Sequence, residues 1–502
     1  MTSIDSGAAA ATPAEHVPGV SADLAREATA LLRRLIQFNT VNPPGNERPA
    51  QEYLADHLTR AGFECQLLGA EPDRPNLVAR LRGAGDTSGG SGGPSDSGTG
   101  PRLCYLGHVD TVLADPVDWT RDPWSGDVHD GYIWGRGALD MKSQVAAEIA
   151  AGASLARSGW RPAHGDLLIV AVVDEETGGE LGAQWITRTH PDEVRCDMLV
   201  NEGAGAVFEY GGPPARRRYG VCCAEKGVFR FTVTTAGVAG HASMPSMGEN
   251  ALLKMAPLLE RLGARRPAYQ LTEVPSAFLA SIGEDPGDPA GSVARLRAVD
   301  ERLATMFEPM LGVTFAPTRI SASEKINVIP SRAVLRVDCR VPPGLGEEEV
   351  RRAIAEVLSP SQSASADPAG SVQAGAQPAS QPMTAGPARD EAYTIEFTER
   401  IAGNSSPMRS PLMEAISEWV SQQDPGARTV PTILPGFTDS RHFRAAFPEC
   451  VAYGFFPQRH QSLLETQSLI HGADERIDVR DLGFAAEFFR DLALRTLEQR
   501  QA

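Results

Sequence analysis

The sequence predicts an α/β protein, an open sheet flanked by helices, with a smaller α+β module set into it. Two patterns carry this. Short apolar runs such as Leu103-Cys104-Tyr105-Leu106 and Val170-Ala171-Val172-Val173 break abruptly into Gly, His and acids, as strands of an open sheet do where their carboxyl ends face a crevice. From Gly227 onward the texture changes, with Phe229, Phe231 and Val233 alternating with polar residues. Length agrees: 502 residues exceed what one compact core usually organises, so two domains are expected.

Taken in order, residues 1–20 are Ala-, Ser- and Pro-containing, with Asp5 and Glu15 and no basic segment before an apolar core. They read as a disordered tail rather than a secretory signal. Leu24, Ala28, Leu31, Leu32 and Leu35 then recur at helical spacing behind Ser21, giving a first helix. Asn42-Pro43-Pro44-Gly45 forces a loop, a second helix runs to about residue 60, and strands follow at 64–68 and 76–81.

The tract 83–100 is almost wholly Gly, Ser, Asp, Thr and Pro, too poor in apolar side chains to repay its ordering entropy. It contains Gly89-Gly90-Ser91-Gly92-Gly93, a formal match to the serine-hydrolase elbow. That elbow needs a strand before it and a helix after it, which low-complexity chain does not supply, so the match reads as accidental.

A helix is expected over 141–158 and a buried strand over 166–173. The second module reads as β-α-β-β-α-β, with a helix over 249–262, strands near 313–320 and 325–341, and a helix over 346–358. The stretch 267–317 is longer than that pattern needs and receives no assignment. A second Ser/Ala/Gln/Pro/Gly-rich tract spans 359–390. From Ser410 a helix, strands at 429–434 and 450–455, and a final helix over 478–498 complete the first domain.

Net charge is 47 − 64 = −17, which argues against nucleic-acid and anionic-membrane partners. No apolar run approaches the roughly 18 residues of a membrane span. The seven cysteines include no C-x-x-C and several fall inside apolar runs, so reduced thiols in a cytoplasmic protein are expected.

The chemistry concentrates in His108, Asp140, Glu176 and Glu202, with His471 available far downstream. Imidazole nitrogen and carboxylate oxygen are zinc ligands, and two zincs about 3.5–4 Å apart need a shared carboxylate. The matching stretches are Gly107-His108-Val109-Asp110-Thr111, Gly135-Arg136-Gly137-Ala138-Leu139-Asp140-Met141-Lys142, Asp174-Glu175-Glu176-Thr177-Gly178, Asn201-Glu202-Gly203, Gly240-His241-Ala242-Ser243, Asn327-Val328-Ile329-Pro330 and His471-Gly472. In these motifs, which keep their order over most of the chain, the sequence resembles the two-zinc metallopeptidases that include aminoacylases, carboxypeptidase G, acetylornithine deacetylase and cytosolic dipeptidases.

The resemblance implies a zinc-peptidase-type mixed sheet flanked by helices, carrying an inserted ferredoxin-like lid that also serves dimerisation. The catalytic domain is then expected at 21–223 and 406–502, and the lid at 224–405. His108, Asp140, Glu176, Glu202 and His471 become ligands of two Zn2+ ions, for which Co2+ or Mn2+ are substitutes. Asp140 bridges the metals and precedes a cis peptide bond to Met141; which metal His471 binds stays open.

Asp110 is implied to hold the second ring nitrogen of His108 and fix its tautomer. Glu175 is the implied general base, taking a proton from a water whose pKa zinc lowers from about 15.7 toward 7, and passing it to the departing amine. His241 is the implied oxyanion donor, acting across a homodimer, and Asn327 and Arg340 hold the carboxyl end of a substrate. Arg suits that role because its planar fork meets a carboxylate through two hydrogen bonds. Arg441, in Thr438-Asp439-Ser440-Arg441, is a further carboxylate-binding candidate.

Singly, each feature has a plainer explanation: a His after a strand is often structural, and three consecutive acids are ordinarily a solvated turn. Together they point to hydrolysis of an amide or peptide bond in a small carboxylate-bearing molecule. Both a dipeptidase or carboxypeptidase and an N-acyl-amino-acid deacylase fit. The rivals are a serine hydrolase and a non-catalytic binding protein on the same fold; the second loses ground because Glu175 and every implied ligand are present.

Overall fold

The computed structural model describes residues 21–84, 100–211, 216–359 and 393–498. The expected tail over 1–20, the Ser91 match and nearly all of both low-complexity tracts lie outside the described residues. The chain divides into two compact units, Met1–Ala224 with Ala280–Glu284 and Ser405–Ala502, and Glu225–Leu279 with Asp285–Asn404.

The first unit is built on a mixed sheet. Its strands run in the order Glu64–Leu68, Asn76–Arg82, Asp166–Val172, Arg102–His108, Met198–Asn201, Val451–Gly454, Arg216–Glu225, Ala206–Tyr210, Gln458–Ser462. Four central strands, Asp166–Val172 through Val451–Gly454, are mutually parallel, and the flanking pairs on the Asn76–Arg82 side are antiparallel. Every residue of Asp166–Val172 is buried, which explains why the strand is apolar without a break from Leu167 onward: an interior strand has both faces covered.

The strand Arg102–His108 shows how alternation divides the two faces. Cys104 and Leu106 join a core with Ala183 and Ile186 of the helix Ala183–Thr189 and Phe443 of the helix Ser440–Ala446. Tyr105 points the other way, stacks edge-on against Phe489 and donates its hydroxyl hydrogen bond to the Phe489 carbonyl. That second face carries three helices packed on one another, Ala22–Ile36, Lys142–Arg157 and Val479–Leu497.

Lys142–Arg157 is buried nearly all round, and its Ala and Gly content lets it lie close to the sheet. A Cβ on Gly107 would stand 2.7 Å from Val145 Cγ2 and 3.0 Å from Met141 Cε, so that position has no room for a side chain. Just ahead of this helix, the Asp140–Met141 peptide bond is cis.

The second unit realises the β-α-β-β-α-β pattern in Phe231–Ala236, Ala251–Ala264, Thr314–Ser321, Arg332–Val341, Glu347–Leu358 and Tyr393–Phe397. Sheet order is Thr314–Ser321, Arg332–Val341, Phe231–Ala236, Tyr393–Phe397, with every neighbour antiparallel. This is the ferredoxin-like split arrangement. Ala333, Leu335, Val337, Cys339 and Val341 alternate inward on the central strand and meet Met255, Leu258, Val350 and Ile354 of the two helices.

The unassigned stretch 267–317 holds three helices, Glu273–Ile282, Pro289–Val299 and Glu301–Phe307. They run 10, 11 and 7 residues, too short for apolar periodicity to stand out, although Asp288 and Asp300 are legible caps that accept hydrogen bonds from Gly291 and Arg302 amides. Among the described residues no helix is long and apolar enough to cross a membrane. Among the described residues the seven cysteines form no disulfide, and all but Cys65 are buried.

Candidate metal centre

Parallel strands deliver their last residues to one end of the sheet, and the acids of the first unit arrive there. His108 closes the strand Arg102–His108 and Glu202 directly follows Met198–Asn201. Glu175 and Glu176 sit in a single helical turn just beyond Asp166–Val172. Asp140 comes from the loop ahead of Lys142–Arg157, and His471 from a loop in which its backbone is left-handed, with φ 60°.

These side chains converge. His108 Nε2 lies 3.1 Å from Asp140 Oδ1, 3.8 Å from Glu202 Oε1 and 4.0 Å from Glu175 Oε2. His471 Nε2 lies 3.0 Å from Asp140 Oδ2 and 3.3 Å from Glu176 Oε2. The two oxygens of Asp140 are thus divided between two histidines, one with Glu202 beside it and the other with Glu176.

The donor set fits divalent cations. Zinc–nitrogen and zinc–oxygen bonds of about 2.0–2.2 Å place tetrahedral ligands about 3.3–3.6 Å from one another, and the separations here bracket that span. The electrostatics agree. Burial, then the charge of Glu202, pushes the Glu175 carboxyl well above its ordinary range, and burial with Asp140 does the same to Glu202. Burial alone would lower His108, but hydrogen bonds to Asp110 and Asp140 override it and raise the ring well above normal. Hydrogen bonds to Asp140 and Glu176 lift His471 to about 10. Without a metal, protons on the two imidazoles offset carboxylate charge that a cation would otherwise neutralise.

A layer of hydrogen bonds aims these side chains. His108 Nδ1 is 3.0 Å from the carbonyl of Asp110 and 3.5 Å from its carboxylate, so the backbone oxygen gives the closer contact. The Asp110 carboxylate works mainly on the acidic turn, accepting the amides of Glu175 and Glu176, each at 3.2 Å. Glu176 Oε1 accepts the Val112 amide at 3.2 Å, leaving Oε2 toward His471.

Sequence reasoning missed Asn42. Its buried amide donates to Asp110 at 2.9 Å, to Asp174 at 3.1 Å and to Thr177 at 3.2 Å, joining the His108 segment to the acidic turn. The only signal was its place before Pro43-Pro44, which reads as loop. Arg441 donates to the Gly178 carbonyl at 2.7 Å and stacks on Phe437 at 4.6 Å, so its guanidinium braces the turn that carries Glu175 and Glu176.

His241, Asn327 and Arg340 belong to the second unit. His241 lies on the short strand Gly240–His241 opposite Val328, and the Asn327 carbonyl accepts the Ala242 amide at 3.0 Å, so the two are neighbours. His241 Nδ1 lies 2.7 Å from Ser243 Oγ and 3.2 Å from the Ser243 amide; a neutral ring that accepts both at Nδ1 carries its proton on Nε2. Arg340 is half-buried and donates to Asp338 at 2.7 Å.

Comparison with known proteins bears on this arrangement. The family model described as Peptidase family M20/M25/M40 matches residues 104–495, a span that includes His108, Asp140, the acidic turn, Glu202 and His471. A succinyl-diaminopimelate desuccinylase from Cereibacter sphaeroides is 29% identical over 342 residues, covering 65% of this chain and 81% of that protein. Its counterpart from Rhodospirillum centenum is 32% identical over 283 residues, 55% of this chain and 66% of that one. Among solved structures, an M20 family metallo-carboxypeptidase from Sulfolobus solfataricus superposes with TM-score 0.63 at 15% identity, covering 94% of this chain and 99% of that one. Human carnosine dipeptidase 1 gives TM-score 0.60 at 15% identity over 94% and 96% of the two chains. At such identities the structural likeness shows the fold.

Proposed function

The chain belongs to the M20/M25/M40 peptidase family and is a hydrolase of that family, and from that premise we propose that it cleaves the amide or peptide bond of a small carboxylate-bearing substrate at two divalent cations. Zinc is the proposed metal, with His108, Glu202 and Asp140 holding one ion and His471, Glu176 and Asp140 the other. The observation that carries this reading is Asp140, whose oxygens lie 3.1 Å and 3.0 Å from two different imidazoles.

When bound, such a cation pair polarises the scissile carbonyl and acidifies the attacking water. The protein's own part is positioning and proton transfer. Glu175 accepts the water's proton at its carboxylate and returns it to the leaving amine; its carboxylate, 4.0 Å from His108 Nε2 and outside hydrogen-bond reach of that ring, is left free for this transfer. Asp110 and Asn42 keep the Glu175–Glu176 turn fixed while the proton moves. His241 is proposed to donate from Nε2 to the oxyanion, and Asn327 and Arg340, with Arg441 as a further candidate, to bind the substrate carboxylate.

Deacylation of an N-acyl amino acid is a second reading, favoured by the desuccinylase names of the sequence relatives. Dipeptides and N-acetyl and N-succinyl amino acids, assayed side by side with zinc or cobalt, separate the two. Activity that survives complete metal removal would exclude both and revive the serine-hydrolase rival. Cytoplasmic location and a homodimer formed through the second unit complete the proposal; cysteines that form no disulfide among the described residues support the first. If His241 acts in trans, mixing inactive Glu175→Ala and His241→Ala chains restores activity, and the absence of rescue removes that assignment.

A further inference from the structure

Four residues beyond His471, the carboxylate of Glu475 is fully buried and faces the loop that ends in Asp140. One oxygen, Oε1, accepts the amides of Leu139 at 2.6 Å and Asp140 at 3.1 Å. The other, Oε2, accepts the amide of Gly137 at 3.2 Å and the Arg136 guanidinium at 2.6 Å. The Glu475 carbonyl accepts the Gly135 amide at 3.0 Å, and Arg136 reaches on to the His471 carbonyl at 3.3 Å.

Neither motif predicts this join, because the two segments are separated by more than three hundred residues of chain. We infer that Glu475 is a positioning residue for the metal centre: its carboxylate clamps the Gly135–Asp140 loop to the His471 segment, so that the shared ligand Asp140 and the ligand His471 are held at one fixed separation. The inference rests on the proposed two-metal reading and adds to it a residue that touches neither metal nor substrate.

The reason a carboxylate is required lies in the donor count. Four N–H donors meet two oxygens, two at each, and a carboxylate is the side chain that is acceptor-only at both. In a glutamine, whichever way the amide turned, its NH2 group would face two of those donors and leave them unmatched in a buried site. Relief comes by moving the loop, and Asp140 moves with it. Partners that orient metal ligands in this way typically cost about 10–100-fold in metal affinity when altered.

The test is a titration of metal-stripped protein with Co2+, followed by its absorption bands, and with Zn2+ in competition with a chromophoric chelator. Glu475→Gln is expected to weaken binding about 10–100-fold while keeping the two-metal stoichiometry of the parent. Asp481→Asn is the control. Asp481 is equally buried and accepts the amides of Arg459, His460 and Gln461, but it takes no part in the metal loops. It is expected to lower the thermal midpoint and leave metal affinity unchanged.

Equal affinities in parent and Glu475→Gln overturn the inference, as does a comparable loss in Asp481→Asn, which would mark the effect as general destabilisation. Should Glu475→Gln not fold, Arg136→Lys carries the test, since an ammonium cannot span Glu475 and the His471 carbonyl together, and unchanged affinity there overturns it equally. A parent protein that binds no metal at all overturns the two-metal reading and this inference with it.

Discussion

At the scale of single residues, the centre gives neighbouring acids different work. Glu176 has one oxygen tied to the Val112 amide and the other turned to His471, whereas Glu175 points its carboxylate toward His108 Nε2 from 4.0 Å, beyond hydrogen-bond reach. Removing only the proposed proton-transfer role, as in Glu175→Gln, is therefore expected to lower kcat by about 10²–10⁴-fold without changing the metal content of the parent, measured by steady-state kinetics beside metal analysis. A variant that loses its metals instead makes Glu175 a ligand.

His471 supplies a pH signature. Its metal-free pKa of about 10 lies above the ordinary imidazole value, so its pairing with Asp140 and Glu176 stabilises the stripped protein fully below the ordinary range and is lost as pH rises toward 10. A cation needs the neutral ring, so metal affinity must rise over the same window and binding must release protons. Calorimetry of Zn2+ binding at neutral pH, in buffers of different ionisation heat, counts them. Zero protons released would remove His471 from the ligand set.

At the scale of elements, the centre depends on how closely the helix Lys142–Arg157 lies against the sheet, because Asp140 is fixed at its amino end. Gly107 sets that distance. Gly107→Ala would put a methyl group 2.7 Å from Val145 Cγ2, and overpacking of this kind typically costs about 1–3 kcal/mol. The expected result is a lower denaturation midpoint together with weaker metal binding, since the strand that ends in His108 and the helix that follows Asp140 must separate. An unchanged midpoint would show that the helix can move at no cost.

The acidic turn was legible as chemistry but not as structure. Three consecutive acids read as solvent-exposed chain, yet Asp174 adopts φ 71° and accepts hydrogen bonds from Asn42, Thr177 and Leu181. Its stability comes from partners that sequence spacing does not reveal. The helices within 267–317 escaped for a different reason, their shortness.

At the scale of the whole molecule, the second unit carries an exposed apolar stripe. Leu252, Leu253 and Leu259 project from the helix Ala251–Ala264, with Leu253 71% exposed. Thr314–Ser321 pairs on one side only among the described residues, and Ile320 on it is also exposed. Apolar surface beside an open strand edge is what a self-associating face looks like. A dimer by light scattering, converted to monomer by Leu253→Glu, is the expected outcome; a wild-type monomer at micromolar concentration removes the homodimer from the proposal.

Sequence alone determined the donors and their local setting: an imidazole at a strand end, acids after apolar runs, glycines where the chain must turn. These are properties of neighbouring residues, so periodicity and composition carry them. Tertiary structure alone decided which histidine stands with which glutamate, that Asp140 divides its oxygens between them, and that Asn42 and Glu475 hold the arrangement. Those facts depend on remote segments being laid side by side, as Val451–Gly454 is beside Met198–Asn201. Coordination turns on differences of a few tenths of an ångström, which packing sets and residue order does not encode.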